Sequence, residues 1–173
     1  MADPIPILIS ACLLGQKVRY DGGDKRDPFL IETFGKFARW IPVCPEVGCG
    51  LAIPREPMIL KGDPVTPRLS GAITGTDYTA RMTRWTDARL RELEPFGLCG
   101  YVCKKNSPSC SGIGRIDVLG ESGAVSGPGS GIFTKAFVER FPRVPVEEEG
   151  RLRDPAVREA FLEKVFALSS RSA

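Results

Sequence analysis

Six cysteines and a complete lack of histidine bound the chemistry open to this 173-residue chain. His-ligated zinc, Ser–His–Asp and Cys–His catalysis are excluded. A metal must be held by thiolate or oxygen, and a general base must be Asp, Glu, Lys, Tyr or a thiolate. Cys12, Cys44 and Cys110 each follow a short apolar run, and each lies where the backbone can turn and offer N–H groups. Cys12 precedes Gly15, Cys44 precedes Pro45, and Cys110 sits in Ser107-Pro108-Ser109-Cys110-Ser111-Gly112. Such N–H groups hydrogen-bond thiolate and sulfide. Soft thiolates select zinc, copper(I) or iron–sulfur clusters. No C-x-x-C pair occurs, so neither a zinc ribbon nor a thiol–disulfide oxidoreductase has its usual signature. Free cysteine also packs as a small hydrophobe, a reading that suits Cys103 and Cys99.

Polar residues cluster near the same points. Glu46 stands two residues after Cys44, where a carboxylate could act as general base beside a metal, or be an ordinary surface charge. Ser107 and Ser109 could hydrogen-bond a substrate or simply cap a turn. Lys104 and Lys105 could neutralise a cluster or an anionic substrate, or be a solvated strand end. Arg19, Asp21, Arg55 and Arg68 occupy loops expected to face the same edge, as substrate or salt-bridge groups.

These residues need elements to position them. Pro6–Ser10 is a buried, parallel-type strand by its unbroken apolar character. Asp27-Pro28 opens a helix with Phe29, Leu30, Phe34 and Phe37 on its apolar face. Arg39–Val43 is a second strand and Leu98–Lys104 a third. Residues 47–75, dense in Gly and Pro, are expected to be an irregular functional loop. Helices are expected over 77–93, with Met82, Trp85 and Leu93 on one side, over 131–141, and after Asp154-Pro155. Val144–Val146 is a short fourth strand, and 120–129 reads as a flexible loop. Alternating strands and helices imply a single α/β domain over 1–173, with a mostly parallel central sheet flanked by helices. Strand C-termini share one edge of such a sheet and ligands bind there, so Cys12, Cys44 and Cys110 would converge at the C-terminal strand edge.

Composition fits an ordinary globular protein, with 42% hydrophobic and 26% charged residues. The longest apolar runs, such as Ile5–Leu14, are too short to span a membrane. Met1-Ala2-Asp3-Pro4 carries no basic region of the secretory kind, so a cytoplasmic location is expected. In that reducing compartment, six cysteines point to metal or redox chemistry rather than structural disulfides. A net charge of +3 gives little attraction for nucleic acid. No sequence feature marks an oligomeric state.

Ser10-Ala11-Cys12-Leu13-Leu14-Gly15, with Val18-Arg19-Tyr20-Asp21-Gly22, resembles the opening motif of the thiouracil desulfidase family, long labelled only as a bacterial domain of unknown function. Val43-Cys44-Pro45-Glu46, with Gly50-Leu51 and Pro54-Arg55, resembles its second motif. Lys104 with Ser107-Pro108-Ser109-Cys110 resembles its third. The C-terminal part, Gly129 to Glu147 and the helix after Asp154, also fits, so the resemblance covers most of the chain, and three ordered motifs, each with its cysteine, make it specific. The resemblance implies a 4Fe–4S cluster on Cys12, Cys44 and Cys110 with one iron open, Glu46 and Ser107 as catalytic residues, and a small thiolated substrate such as 2-thiouracil. Arg19, Asp21, Lys104 and Ser109 are the weaker candidates for substrate contact. Cys49 stands where the family pattern has a small residue, and Cys103 where it has an aliphatic one. Cys49 could compete for the open iron, accept sulfur, or pack. The competing readings are a cysteine-rich structural zinc protein and a sulfur or cluster carrier without catalysis, including sulfur delivery to tRNA.

Overall fold

The structure, a computed structural model, describes residues 3–171. Met1 and Ala2, part of the stretch read for a leader, lie outside the described residues. The central sheet is built around β1 (Ile5–Ser10), where five of six residues are buried. β2 (Ala38–Val43) pairs with it in parallel on one side, Ile5 opposite Ala38 and Ser10 opposite Val43. β5 (Gly100–Cys103) pairs in parallel on the other side, and β8 (Val146–Glu148) pairs in parallel with β5. The order β2-β1-β5-β8 is wholly parallel, as the continuous apolar strands require.

The two-residue period of β1 divides the core. Ile5, Ile7 and Ile9 face α1 (Pro28–Phe34) and α5 (Pro155–Ser169), against Leu30, Phe34 and Phe161. Leu8 faces the other side with Tyr101, against Leu90, Leu93, Phe133 and Phe137 from α3 (Thr79–Leu93) and α4 (Ile132–Arg140). Asp27 caps α1, its carboxylate accepting from Leu30 N at 3.2 Å, and also accepts from Arg153 Nη2 at 2.9 Å. That helix ends at Phe34, so Phe37 sits in the following turn rather than on the helical face, though the two rings still pack 5.8 Å apart.

Two stretches read as loops are in fact a second sheet. Within 47–75 lie the single turn α2 (Pro45–Gly48), which begins just before it, then β3 (Met58–Lys61) and β4 (Arg68–Gly71). β7 (Val125–Gly129) occupies half of the expected 120–129 loop and pairs with β6 (Ile116–Leu119), a strand with no counterpart in the sequence reading. The order is β4-β3-β6-β7, with a parallel β3–β6 pair at its centre. β3, β4 and β6 are only four residues long, too short to show a clear alternation, and β7 is dominated by Gly127, Pro128 and Gly129. Pro128 is tolerated because β7 is an edge. The last strand lies two residues later than the expected 144–146.

The approach of α4 to the loop after β5 is tight. A Cβ on Gly131 would stand 2.6 Å from Ser109 O and from Ser111 N, and 2.7 Å from Cys110 N. Only glycine fits without moving the backbone that carries Cys110. Gly131→Ala is expected to lower stability by roughly 1–3 kcal/mol, the usual cost of overpacking. Urea denaturation of the apo-protein measures it, and an unchanged midpoint would contradict the packing described.

Candidate active site

The chain leaves β1 toward β2 on one side and later fills β5 on the other. This reversal opens a crevice at the C-terminal ends of the strands. Cys12 lies in the single 3-10 turn Ala11–Leu14 directly after β1, closed by Gly15 at φ +91°. Cys44 caps α2 directly after β2. Cys110 lies in the loop after β5, held to α4 by the Phe133 N–H donating to Ser109 O at 3.0 Å and the Thr134 hydroxyl to Cys110 O at 2.7 Å. All three line one cleft of about 230 Å³.

Burial, the largest influence on each, holds these three cysteines as neutral thiols. The Cys12 thiol is pushed up to about 12 by burial and then by Cys110, with Lys104 and Arg19 pulling the other way. Cys44 is pushed up to about 11 by burial, opposed by the Val47 N–H at the start of α2. Cys110 is also raised by burial, while the hydroxyls of Ser10, Ser109 and Tyr101 favour its thiolate. Each pair among the three influences one another electrostatically, so they form one group of donors.

A line of polar contacts crosses the cleft beside them. Arg55 donates from Nε at 2.9 Å and from Nη2 at 2.6 Å to Glu46 Oε2. Ser109 donates to Glu46 Oε1 at 3.2 Å, and the Ser107 and Ser109 hydroxyls stand 3.1 Å apart. Ser107 Oγ also accepts the Cys110 N–H at 3.1 Å, and Ser109 Oγ is 3.6 Å from Cys110 Sγ. The carboxylate and both serines thus belong to one network touching a cysteine, rather than to separate surface turns.

The other candidates divide. Arg19 and Lys104 line the cleft. Lys104 is ion-paired with Glu149, both nearly buried, so its charge is compensated. Asp21 is not among the cleft's residues; it accepts the Gly23 N–H at 2.9 Å and shapes a turn. Arg68 pairs with Glu121 on the surface. Cys49 packs with Leu60, Leu69 and Met82, Cys103 with Leu8 and Phe137, and Cys99 with Ile7 and Val165. Sequence reasoning left Ser10 without a role and gave Arg55 only as a substrate or salt-bridge group. Ser10 favours the Cys110 thiolate, and its hydroxyl accepts the Lys104 N–H at 3.0 Å. Arg55 holds Glu46. Both lie within the motifs, which was the available signal. Tyr101, a strand residue beside Cys110, carried none.

Fold and site together define an α/β protein whose sheet edge gathers three thiols, a carboxylate and two serines around one cleft. The family model for 2-thiouracil desulfurase matches residues 7–149, and the chain belongs to that family. A solved structure described as the [4Fe-4S]-dependent thiouracil desulfidase TudS is 34% identical. It superposes with a TM-score of 0.69, covering 92% of this chain and 99% of that one. No curated protein matches the chain.

All six thiols are shifted upward by burial. The unfolded chain, with ordinary thiols near 8.5, therefore loses their protons first as pH rises. For Cys12 and Cys44 this contribution to stability is complete below about pH 8.5 and is lost on the way to 11–12. Anaerobic urea denaturation of the apo-protein is expected to show a midpoint that falls from pH 8 to pH 10.5, and less steeply in Cys12→Ala. An equal slope in the two proteins would contradict the assignment.

Proposed function

We propose that this protein is an iron–sulfur-dependent, non-redox desulfidase that removes sulfur from a small thiolated compound such as 2-thiouracil. The observation that carries this reading is the convergence of Cys12, Cys44 and Cys110 on one cleft that also contains the Glu46–Ser109–Ser107 line. The donor set fits a 4Fe–4S cluster. It consists of three mutually interacting thiols, with no fourth cysteine in the cleft and cavity space on the remaining side. A four-cysteine structural zinc would find only three of its ligands in this cleft. The carrier reading has no use for a carboxylate anchored by arginine inside the cleft.

Cys12, Cys44 and Cys110 would hold the cluster, and loading it releases their protons. Bound there, such a cluster would supply a soft Lewis acid for the substrate's sulfur and make sulfide a better leaving group. The protein's own residues do the rest. Glu46, kept at the cleft by Arg55, takes a proton from water. The water oxygen bonds to the carbon that bears sulfur, the C–S bond breaks, and a carbonyl replaces the thiocarbonyl. Sulfur departs as hydrosulfide with one proton of the water, and the other proton goes to Glu46 and then to solvent. No electrons are exchanged with an outside donor. Ser107 orients the substrate or returns a proton, joined to Glu46 through Ser109. Arg19, half-open on the cleft and weakly paired with Asp21 at 3.8 Å, meets a polar edge of the substrate ring. Six free cysteines suit a reducing, cytoplasmic setting, and no helix among the described residues is long and apolar enough to cross a membrane.

Turnover of 2-thiouracil by anaerobically reconstituted protein, read as hydrosulfide released, tests the proposal. Glu46→Ala is expected to keep its iron and sulfide and to lose roughly 10²–10⁴-fold in kcat, the usual worth of a general base. Full activity in that variant would remove the proposed base. In water enriched in oxygen-18 the product carbonyl is expected to carry the label, and unlabelled product would exclude hydrolysis.

A further inference from the structure

We infer that Arg55 is the positioning residue of this site: it fixes the direction of the Glu46 carboxylate and ties the loops of Cys12 and Cys44 into one rigid wall. The inference rests on the role proposed for Glu46. The Arg55 side chain is only 8% exposed and that of Glu46 14%, unusual burial for two charged groups. Its guanidinium is spent on three partners. Nε and Nη2 both reach Glu46 Oε2, Nη2 also donates to Val18 O at 2.8 Å, and Nη1 donates to Ala52 O at 3.1 Å.

Two consequences follow. First, Oε2 is occupied by Arg55, so only Oε1 is left to Ser109 and the cleft. With Oε2 held by two guanidinium N–H groups and Oε1 by Ser109, the carboxylate has a fixed direction, and Oε1 is the oxygen placed to take a proton on the cleft side. Second, Val18 belongs to the loop that follows Cys12, and its carbonyl lies 3.9 Å from Cys44 Sγ. The same guanidinium therefore reaches both cysteine loops. The Arg55 N–H adds a contact by donating to Tyr20 O at 2.8 Å. Lysine, a point charge with all its donors on one nitrogen, cannot span this set.

Arg55 touches no reacting atom in this account, so its loss should act on rate rather than on binding. Arg55→Ala, reconstituted with iron and sulfide, is expected to keep both. Its KM should stay within about twofold while kcat falls roughly 10–100-fold, the scale set by small misplacements of a catalytic group. Millimolar methylguanidinium, which matches the lost fork, is expected to restore much of the rate, a response that a merely structural defect does not give. Arg55→Lys, which keeps charge and bulk, should show the same pattern more mildly and should respond less to the additive. A wild-type kcat in Arg55→Ala, or a loss that methylguanidinium leaves untouched while the cluster is retained, would overturn the inference. Loss of the cluster in both variants would overturn it too, making Arg55 a folding residue. Glu46→Gln is assayed in parallel. An inactive Glu46→Gln with an active Arg55→Ala defeats only the positioning role, whereas an active Glu46→Gln defeats the base on which it rests.

Discussion

Three thiols kept out of water at the mouth of one sheet are the condition on which the rest of this structure depends. Burial alone would leave them as inert core cysteines, raised in pKa and protonated. What separates Cys12, Cys44 and Cys110 from Cys49, Cys99 and Cys103 is address rather than burial. The first three line a common cleft, though Cys12 and Cys110 also border the apolar clusters, and the last three line none of it. The parallel sheet supplies that address, because three strands running the same way must end on the same side.

Around the thiols, the chain places donors that favour the thiolate. Ser10 comes from the sheet itself, Ser109, 3.6 Å from the Cys110 sulfur, from the Cys110 loop, and the Val47 N–H from the turn after Cys44. Polar groups close to sulfur tune the electronic character of thiolate-held clusters. The carboxylate is handled differently. Glu46 is balanced by a nearly buried arginine and then linked to hydroxyls, so one oxygen carries charge balance and the other faces the cleft. The second sheet lies in the two insertions that follow Cys44 and Cys110, and Met58 of β3 closes one side of the cleft.

Much of this was legible in the residues. The unbroken apolar run of β1 and the Asp-Pro helix starts located the parallel sheet and two of its helices, and through them the convergence of the three cysteines. The second sheet was not legible, because Gly127, Pro128 and Gly129 read as a loop and are held as an edge strand by pairing that only the folded chain provides. Site chemistry divides in the same way. Cysteine spacing and neighbouring turn residues are local signals. The partnership of Arg55 with Glu46 and the pairing of Lys104 with Glu149 depend on contacts between distant segments. Asp21 shows the converse, since a charged residue in the right motif is spent on its own turn.

The most direct test of the central claim is iron and sulfide analysis of protein purified and reconstituted without oxygen, with an absorption spectrum recorded on the same sample. About four iron and about four sulfide per chain with a broad band at about 400–420 nm, as thiolate-held four-iron clusters show, are expected for the wild-type protein, and neither for Cys12→Ala, Cys44→Ala or Cys110→Ala. Stoichiometric zinc, or free thiols with no iron after reconstitution, would contradict the account and leave the three converging cysteines as part of a structural or carrier protein.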